Sequence, residues 1–172
     1  MRRLWLVIGI AVAVAAPAVV AQAPAANTSK AAPACLPSAT PDELLVALDD
    51  AISGPGDRDR TCLRQIVSPD VRLVLMSAEG SREFTLDDWI GAMQRRGSTA
   101  LFEKQVKTRT ERFGQIAHMW STYEIRPTAE GTATTRGINS VQAIFDGVRW
   151  VVVNVMWEAE TPADPIPEKY LP

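Results

Sequence analysis

The dipeptide Asp146-Gly147 stands between two β-rich runs, Thr134–Phe145 and Arg149–Glu158. Asp-Gly is a strong two-residue hairpin signal, because both central positions need positive φ and these residues tolerate it. Each run is well above the ordinary strand length of about 5–6 residues. Two further β-rich runs, Phe102–Thr110 and Gln115–Arg126, precede them. Four long strands in succession form an antiparallel meander, and strands of this length are long enough to curve. A curved sheet must fill its concave side with something apolar.

Helical segments come first in the chain and supply that filling. Thr40-Pro41-Asp42-Glu43 is a helix start: a capping hydroxyl, a proline at the first helical position and two acids on the positive end of the dipole. Leu44, Leu45, Leu48 and Ile52 then recur at helical spacing, and Gly54-Pro55-Gly56 stops the helix. A second short helix is expected over Asp57–Ile66, with Cys62, Leu63 and Ile66 on one side. Val71–Met76 alternates as a strand. Thr85 with Asp88 three residues later caps another helix, which turns Trp89, Ile90 and Met93 inward and ends at Gly97. The expected class is α+β, with about three helices on one face of a curved antiparallel sheet: a cone with a cavity inside.

Strand parity gives the faces. If Asp146-Gly147 are the two loop residues, Phe145 pairs with Val148, Ala143 faces Trp150, Val141 faces Val152 and Asn139 faces Asn154. The other side then carries Ser140 with Val153, Ile138 with Val155 and Arg136 with Trp157. Both sides are largely apolar, so both need covering. Helices cover one. A second copy of the chain is expected on the other, making a homodimer through the sheet.

The chain opens with Met1-Arg2-Arg3, an apolar run from Leu4 to Ala16, and small residues through Ala23. That order reads as a cleavable signal peptide over residues 1–21, with Val19 and Ala21 before the cut. The alternative is an uncleaved anchor, which needs about 20 apolar residues; Pro17 and the alanine-rich end weigh against it. Residues 22–39, rich in Ala, Pro, Ser and Thr, read as a flexible leader, and 40–172 as one domain. Loss of residues 1–21 takes the formal charge from −2 to −4, since Arg2 and Arg3 go and no acid does. No basic stripe survives to bind nucleic acid or a membrane surface. The expected location is periplasmic or secreted. In an oxidising compartment the two cysteines, Cys35 and Cys62, suggest a disulfide, with two free thiols as the alternative.

Several strings resemble a known family: ISGPGDRDRTCLRQIVSPDVRL (52–73), FGQIAHMWSTYE (113–124), RGINSVQAIFDGVRWVVVNVMWEAE (136–160) and PIPEKYL (165–171). Together they are similar to exported bacterial proteins of the SnoaL-like group, within the nuclear transport factor 2-like superfamily. The resemblance spans about residues 40–171 and implies the cone fold and a dimer. It implies no reaction, because this superfamily holds isomerases, dehydratases, cyclases, hydrolases and non-catalytic binders. Its steroid-isomerase-like members need a carboxylate base with a tyrosine and a protonated acid. No such trio can be placed here from sequence. Tyr123 is the only tyrosine within the expected strands, and no catalytic residue carries over.

Candidate pocket residues come from the inward faces. Trp89 and Trp120 are either core or aromatic cavity walls. The Asn139–Asn154 pair either holds a ligand or is satisfied internally. His118, the only histidine, is either a cavity acid or base or an amphipathic core or interface residue. A carboxylate beside it would strengthen the catalytic role, and Glu103 on the preceding strand is the candidate. One histidine argues against zinc, and no phosphate loop, dinucleotide fingerprint or nucleophile elbow occurs, so no cofactor is expected. Two functions stay open. One is a dimeric module that binds a small apolar ligand or serves as a scaffold. The other is a cofactor-free isomerase, dehydratase or hydrolase using His118, and the two divide on which way His118 points.

Overall fold

A computed structural model describes residues 34–172; the expected signal peptide and most of the leader lie outside the described residues. The order is helix α1 (Pro41–Ile52), a two-residue β1 (Gly54–Pro55), α2 (Thr61–Ile66), β2 (Val67–Ser77), β3 (Gly80–Phe84) and α3 (Leu86–Gln94). Four long strands follow: β4 (Ala100–Phe113), β5 (Ile116–Arg126), β6 (Thr135–Phe145) and β7 (Trp150–Ala159), then a 3-10 turn at Glu168–Tyr170. The seven strands form one curled sheet in the order β1-β4-β5-β6-β7-β2-β3. All neighbours are antiparallel except β2, which runs parallel to β7. This is the expected α+β cone.

Both expected capping boxes form. Glu43 N donates to Thr40 Oγ1 at 3.1 Å and Thr40 N to Glu43 Oε2 at 3.1 Å. Thr85 and Asp88 reciprocate in the same way on α3. The C-terminal carbonyls of α1 are held by buried Arg60, whose Nη1 donates to Ala51 O at 2.7 Å and Ser53 O at 3.0 Å. That guanidinium fixes where α1 ends and so where Asp49 and Ser53 sit against the sheet. The second helix begins at Thr61, later than Asp57, because residues 54–58 pair with β4 and turn instead.

The core lies between the helices and the concave face. Leu44, Leu48, Ile52, Leu63 and Ile90 meet Met119, Val141, Trp150 and Val152 there. Residues 35–39 are tied to this unit. Cys35 is bonded to Cys62, and Trp150 N donates to the carbonyl of buried Ser38 at 2.8 Å. The disulfide pairing expected from compartment and parity is therefore present, and it fits an oxidising compartment. Among the described residues no helix is long and apolar enough to cross a membrane.

The hairpin register differs from the expectation. The β6–β7 loop has four residues, not two: Phe145 pairs with Trp150, and Asp146 N donates to Arg149 O at 3.0 Å. The Asp146 side chain closes the turn by accepting from Val148 N and Arg149 N. A bulge then falls between Val152 and Asn154, which shifts the pairing by one more residue. Asn139 consequently lies opposite Trp157, and Asn154 opposite Gln142. The two asparagines are not a pair.

Candidate functional site

Between α1, α3 and the inner face of the sheet lies a small cavity of about 160 Å³. Its walls are apolar: Leu48 and Ile52 from α1, Trp89 from α3, and Ile125, Val155 and Trp157 from the sheet. Trp89 and Trp157 lie with ring centroids 6.3 Å apart. Three polar side chains face the same space: Glu103, Tyr123 and Asn139.

Glu103 is fixed through its backbone and its carboxylate. Ser53, the C-cap residue of α1, accepts from Glu103 N at 3.0 Å through its hydroxyl. Asn139 Nδ2 donates to Glu103 Oε1 at 2.9 Å, and Gln105 Nε2 donates to the same oxygen at 3.1 Å. Among the described residues Oε2 receives no hydrogen bond. Gln105 also holds a second acid: its Nε2 donates to Asp49 Oδ1 at 2.7 Å and its backbone N to Asp49 Oδ2 at 2.8 Å. One carboxamide thus bridges two carboxyls.

The electrostatics follow from this crowding. Burial, reinforced by the neighbouring Asp49 charge, pushes Glu103 up to about 7 against the pull of its two amide donors. Glu103 is partly buried and lines the cavity. Burial likewise raises Asp49 to about 6, opposed by its bonds to Gln105 and by Lys104. Tyr123 is pushed well above the usual tyrosine range by burial and by the charges of Glu103 and Glu158, so its hydroxyl stays a neutral donor. The Tyr123 ring lies over Gly137, directly opposite on β6, where a Cβ would collide with the ring and with the Glu158 carbonyl.

The expected site residues separate into two groups. Trp89 and Asn139 come together in the cone cavity. His118, Trp120 and Asn154 do not; they lie on the opposite face of the sheet. His118 Nε2 is 3.1 Å from Ser140 Oγ, and its ring meets Trp120 edge-on at 6.3 Å. The carboxylate opposite His118 in register is Glu111, already paired with Arg109 at 2.8 Å. Glu103, the expected orienting acid for His118, faces the other way. Trp120 packs against Tyr170 of the C-terminal tail, whose carbonyl accepts from Thr122 Oγ1 at 2.6 Å. Parity separates these residues: Met119, Ser121 and Tyr123 point into the cone, so His118, Trp120 and Thr122 point out.

Asp49, Glu103, Gln105 and Tyr123 form the polar centre, and only two of them had drawn notice: Tyr123 as a strand tyrosine, Glu103 as a partner for His118. A signal existed for Asp49. It interrupts the apolar stripe Leu45–Asp49–Ile52 at spacing i, i+4, i+7 on α1. Among the described residues no group of three or more His, Cys, Asp or Glu side chains is arranged to hold a metal ion.

The architecture matches solved structures at low sequence identity. An NTF2-like protein of unknown function from Silicibacter pomeroyi superposes with a TM-score of 0.55 at 15% identity, over 69% of this chain and 92% of that one. The fold is NTF2-like. A protein of unknown function with a cystatin-like fold from Nostoc punctiforme gives 0.56 at 11% identity, over 70% and 89% of the two chains. An NTF2-like protein of unknown function from Shewanella baltica gives 0.51 at 12% identity, over 70% and 90%. No family model matches the sequence, and no curated protein does. In the NTF2-like fold seen here, the cone cavity is formed by α1, α3 and the inner sheet face, and Glu103 sits among them.

Proposed function

We propose that the cone binds a small, largely apolar molecule bearing one carbonyl or hydroxyl oxygen, and that Glu103 transfers a proton on it without a cofactor. The observation that carries this reading is the Glu103 carboxyl: one oxygen held by two amides, the other unbonded, in an apolar cavity. A group that titrates near neutrality is the best compromise between being deprotonated and being basic. Tyr123, kept neutral in the same cavity, supplies a donor for the ligand oxygen. For a carbon acid the step balances simply. The proton α to a carbonyl moves to the Glu103 carboxylate, charge develops on the carbonyl oxygen near a donor, and the proton returns to carbon.

A second reading, binding without chemistry, draws on the amide bonds that already satisfy Glu103 Oε1. Both readings go with an exported chain, carried by the N-terminal segment, and with a second copy on the outer sheet face. That face exposes Phe113, Ile116, Ile144 and Met156.

The test is proton exchange on small ketones in deuterated water, with the indole N–H signals of Trp89 and Trp157 reporting occupancy. The proposal expects both indole signals to move, and deuterium to enter the ketone with the wild type but not with Glu103→Gln. Binding with no exchange in the wild type selects the second reading. Ketones that leave both indoles unmoved overturn both.

A further inference from the structure

Asp49 and Glu103 open onto different spaces. Asp49 lines an outer groove between α1 and β4, with Asp42, Lys104 and Thr108. Glu103 lines the cone cavity. Gln105 lies between them and donates to both, at 2.7 Å and 3.1 Å. Its own carbonyl oxygen, Oε1, is buried and has no hydrogen-bond donor. Both carboxyls are held through Nε2, so the two acids lie within reach of one amide nitrogen.

We propose that Asp49, Gln105 and Glu103 act as one unit in which the two acids hold a single shared proton at neutral pH, with Asp49 facing the outer groove and Glu103 facing the cone cavity. Two carboxyls tied to one amide are close enough that ionising one opposes ionising the other. The unit gives the cavity an electrostatic connection to the outside that remains when a ligand fills the cone. Where Glu103 takes a proton from a ligand, Asp49 releases one to water in the groove, and Asp49 takes one back as Glu103 returns its proton to carbon, so the pair ends with the one proton it began with. That last step rests on the proton-transfer reading above; the coupling itself does not.

The charged surroundings are few. Lys104 acts on Asp49 from β4. Tyr123 on β5 faces Glu103, and Glu158 on β7 acts on Tyr123. From β6 comes Asn139, which is neutral, and from α3 only Trp89 reaches the cavity. Asp50, next along α1, is paired with Arg58. Asp49 is therefore the principal acid acting on Glu103, and it acts as a positioning residue rather than by touching a ligand.

The experiment is side-chain carboxyl 13C NMR of the full chain, titrated from about pH 4 to about pH 9, in the wild type, Asp49→Asn and Glu103→Gln. The proposal expects the Glu103 midpoint to fall by about one unit or more in Asp49→Asn, a roughly tenfold loss of proton affinity. Asp49 ionises while Glu103 is still largely neutral, so Glu103→Gln should leave the main Asp49 midpoint near its place and turn a two-step Asp49 curve into a single step. That second variant keeps the test decisive if Asp49→Asn does not fold. A Glu103 midpoint that stays put in folded Asp49→Asn, or an Asp49 curve with the same shape in wild type and Glu103→Gln, overturns the shared proton. The ketone exchange assay is separate: lost coupling with intact exchange sinks this inference alone, and intact coupling without exchange sinks only the catalytic reading.

Discussion

Asn139 Nδ2 and Glu103 Oε1 lie 2.9 Å apart, joining the middle of β6 to the start of β4 across the floor of the cone. The bond spans β5, which separates the two strands in the sheet, so curvature brings the side chains together. It works against the burial that raises Glu103. Replacing Asn139 with Leu removes that donor and leaves the carboxylate less supported. The expected result is a Glu103 midpoint above that of the wild type, read by carboxyl NMR, with weaker proton release across the neutral range.

Stability should carry the mark of both raised acids. Glu103 titrates at about 7 in the folded chain against an ordinary 4.5, and Asp49 at about 6 against 3.8. Between those limits the folded chain binds more protons than the unfolded one, so this contribution is full below the ordinary values and declines as the pH rises through the folded ones. Glu103→Gln keeps an oxygen for Asn139 and Gln105 and removes the charge. Denaturant unfolding at about pH 8 should find the variant more stable than wild type by roughly 1–3 kcal/mol, and the advantage should vanish near pH 4. Equal stability at both pH values would contradict the raised Glu103.

Gly137 has no room for a side chain. A Cβ there would run into the Tyr123 ring and the carbonyl of Glu158. Gly137→Ala should cost about 1–3 kcal/mol by overpacking. It should also displace Tyr123, visible as a change in tyrosine ring shifts, while the surface variant Val148→Ser leaves both unchanged.

The Cys35–Cys62 bond closes a loop of 27 residues in sequence separation. In the chain-entropy account such a loop contributes about 3–4 kcal/mol. Replacing both cysteines with serine should lower the unfolding midpoint accordingly. It should also loosen residues 35–39, which amide exchange at Trp150 would report, because that N–H donates to Ser38.

Phe113, Ile116 and Ile144 form an exposed apolar group on the outer face, with Phe113 opposite Ile116 and Ile116 opposite Ile144. A second copy docking there would bury them. Light scattering of the domain should give twice the chain mass, and Ile116→Asp should reduce it to one. A wild type that is strictly monomeric removes the dimer.

Much of the fold was legible because local signals agreed. Thr40 with Glu43 and Thr85 with Asp88 start helices where expected, and all four long strands lie within a few residues of their β-rich runs. The site was less legible because two bulges reset the strand phase. In β4 the pairing slips between Gln105 and Lys107, so Glu103 and Gln105 point inward and then Thr108 and Thr110 do. In β7 the slip falls at Val153, the last of the run Val151-Val152-Val153, where every residue is apolar and alternation carries no information. Asn154 is turned outward by that slip. Asp146, by bonding two backbone N–H groups, favoured a wider loop than Asp-Gly suggests. The short edge pairing of β2 with β3 and its parallel approach to β7 had no sequence signal beyond the run Val71–Met76.

The central claim is that Glu103 is a near-neutral acid in the cone cavity, and its own titration tests this most directly. Carboxyl 13C NMR of the wild-type chain, with the signal assigned by its loss in Glu103→Gln, should give a midpoint of about 7. A midpoint at the ordinary glutamate value of 4.5 would contradict the account.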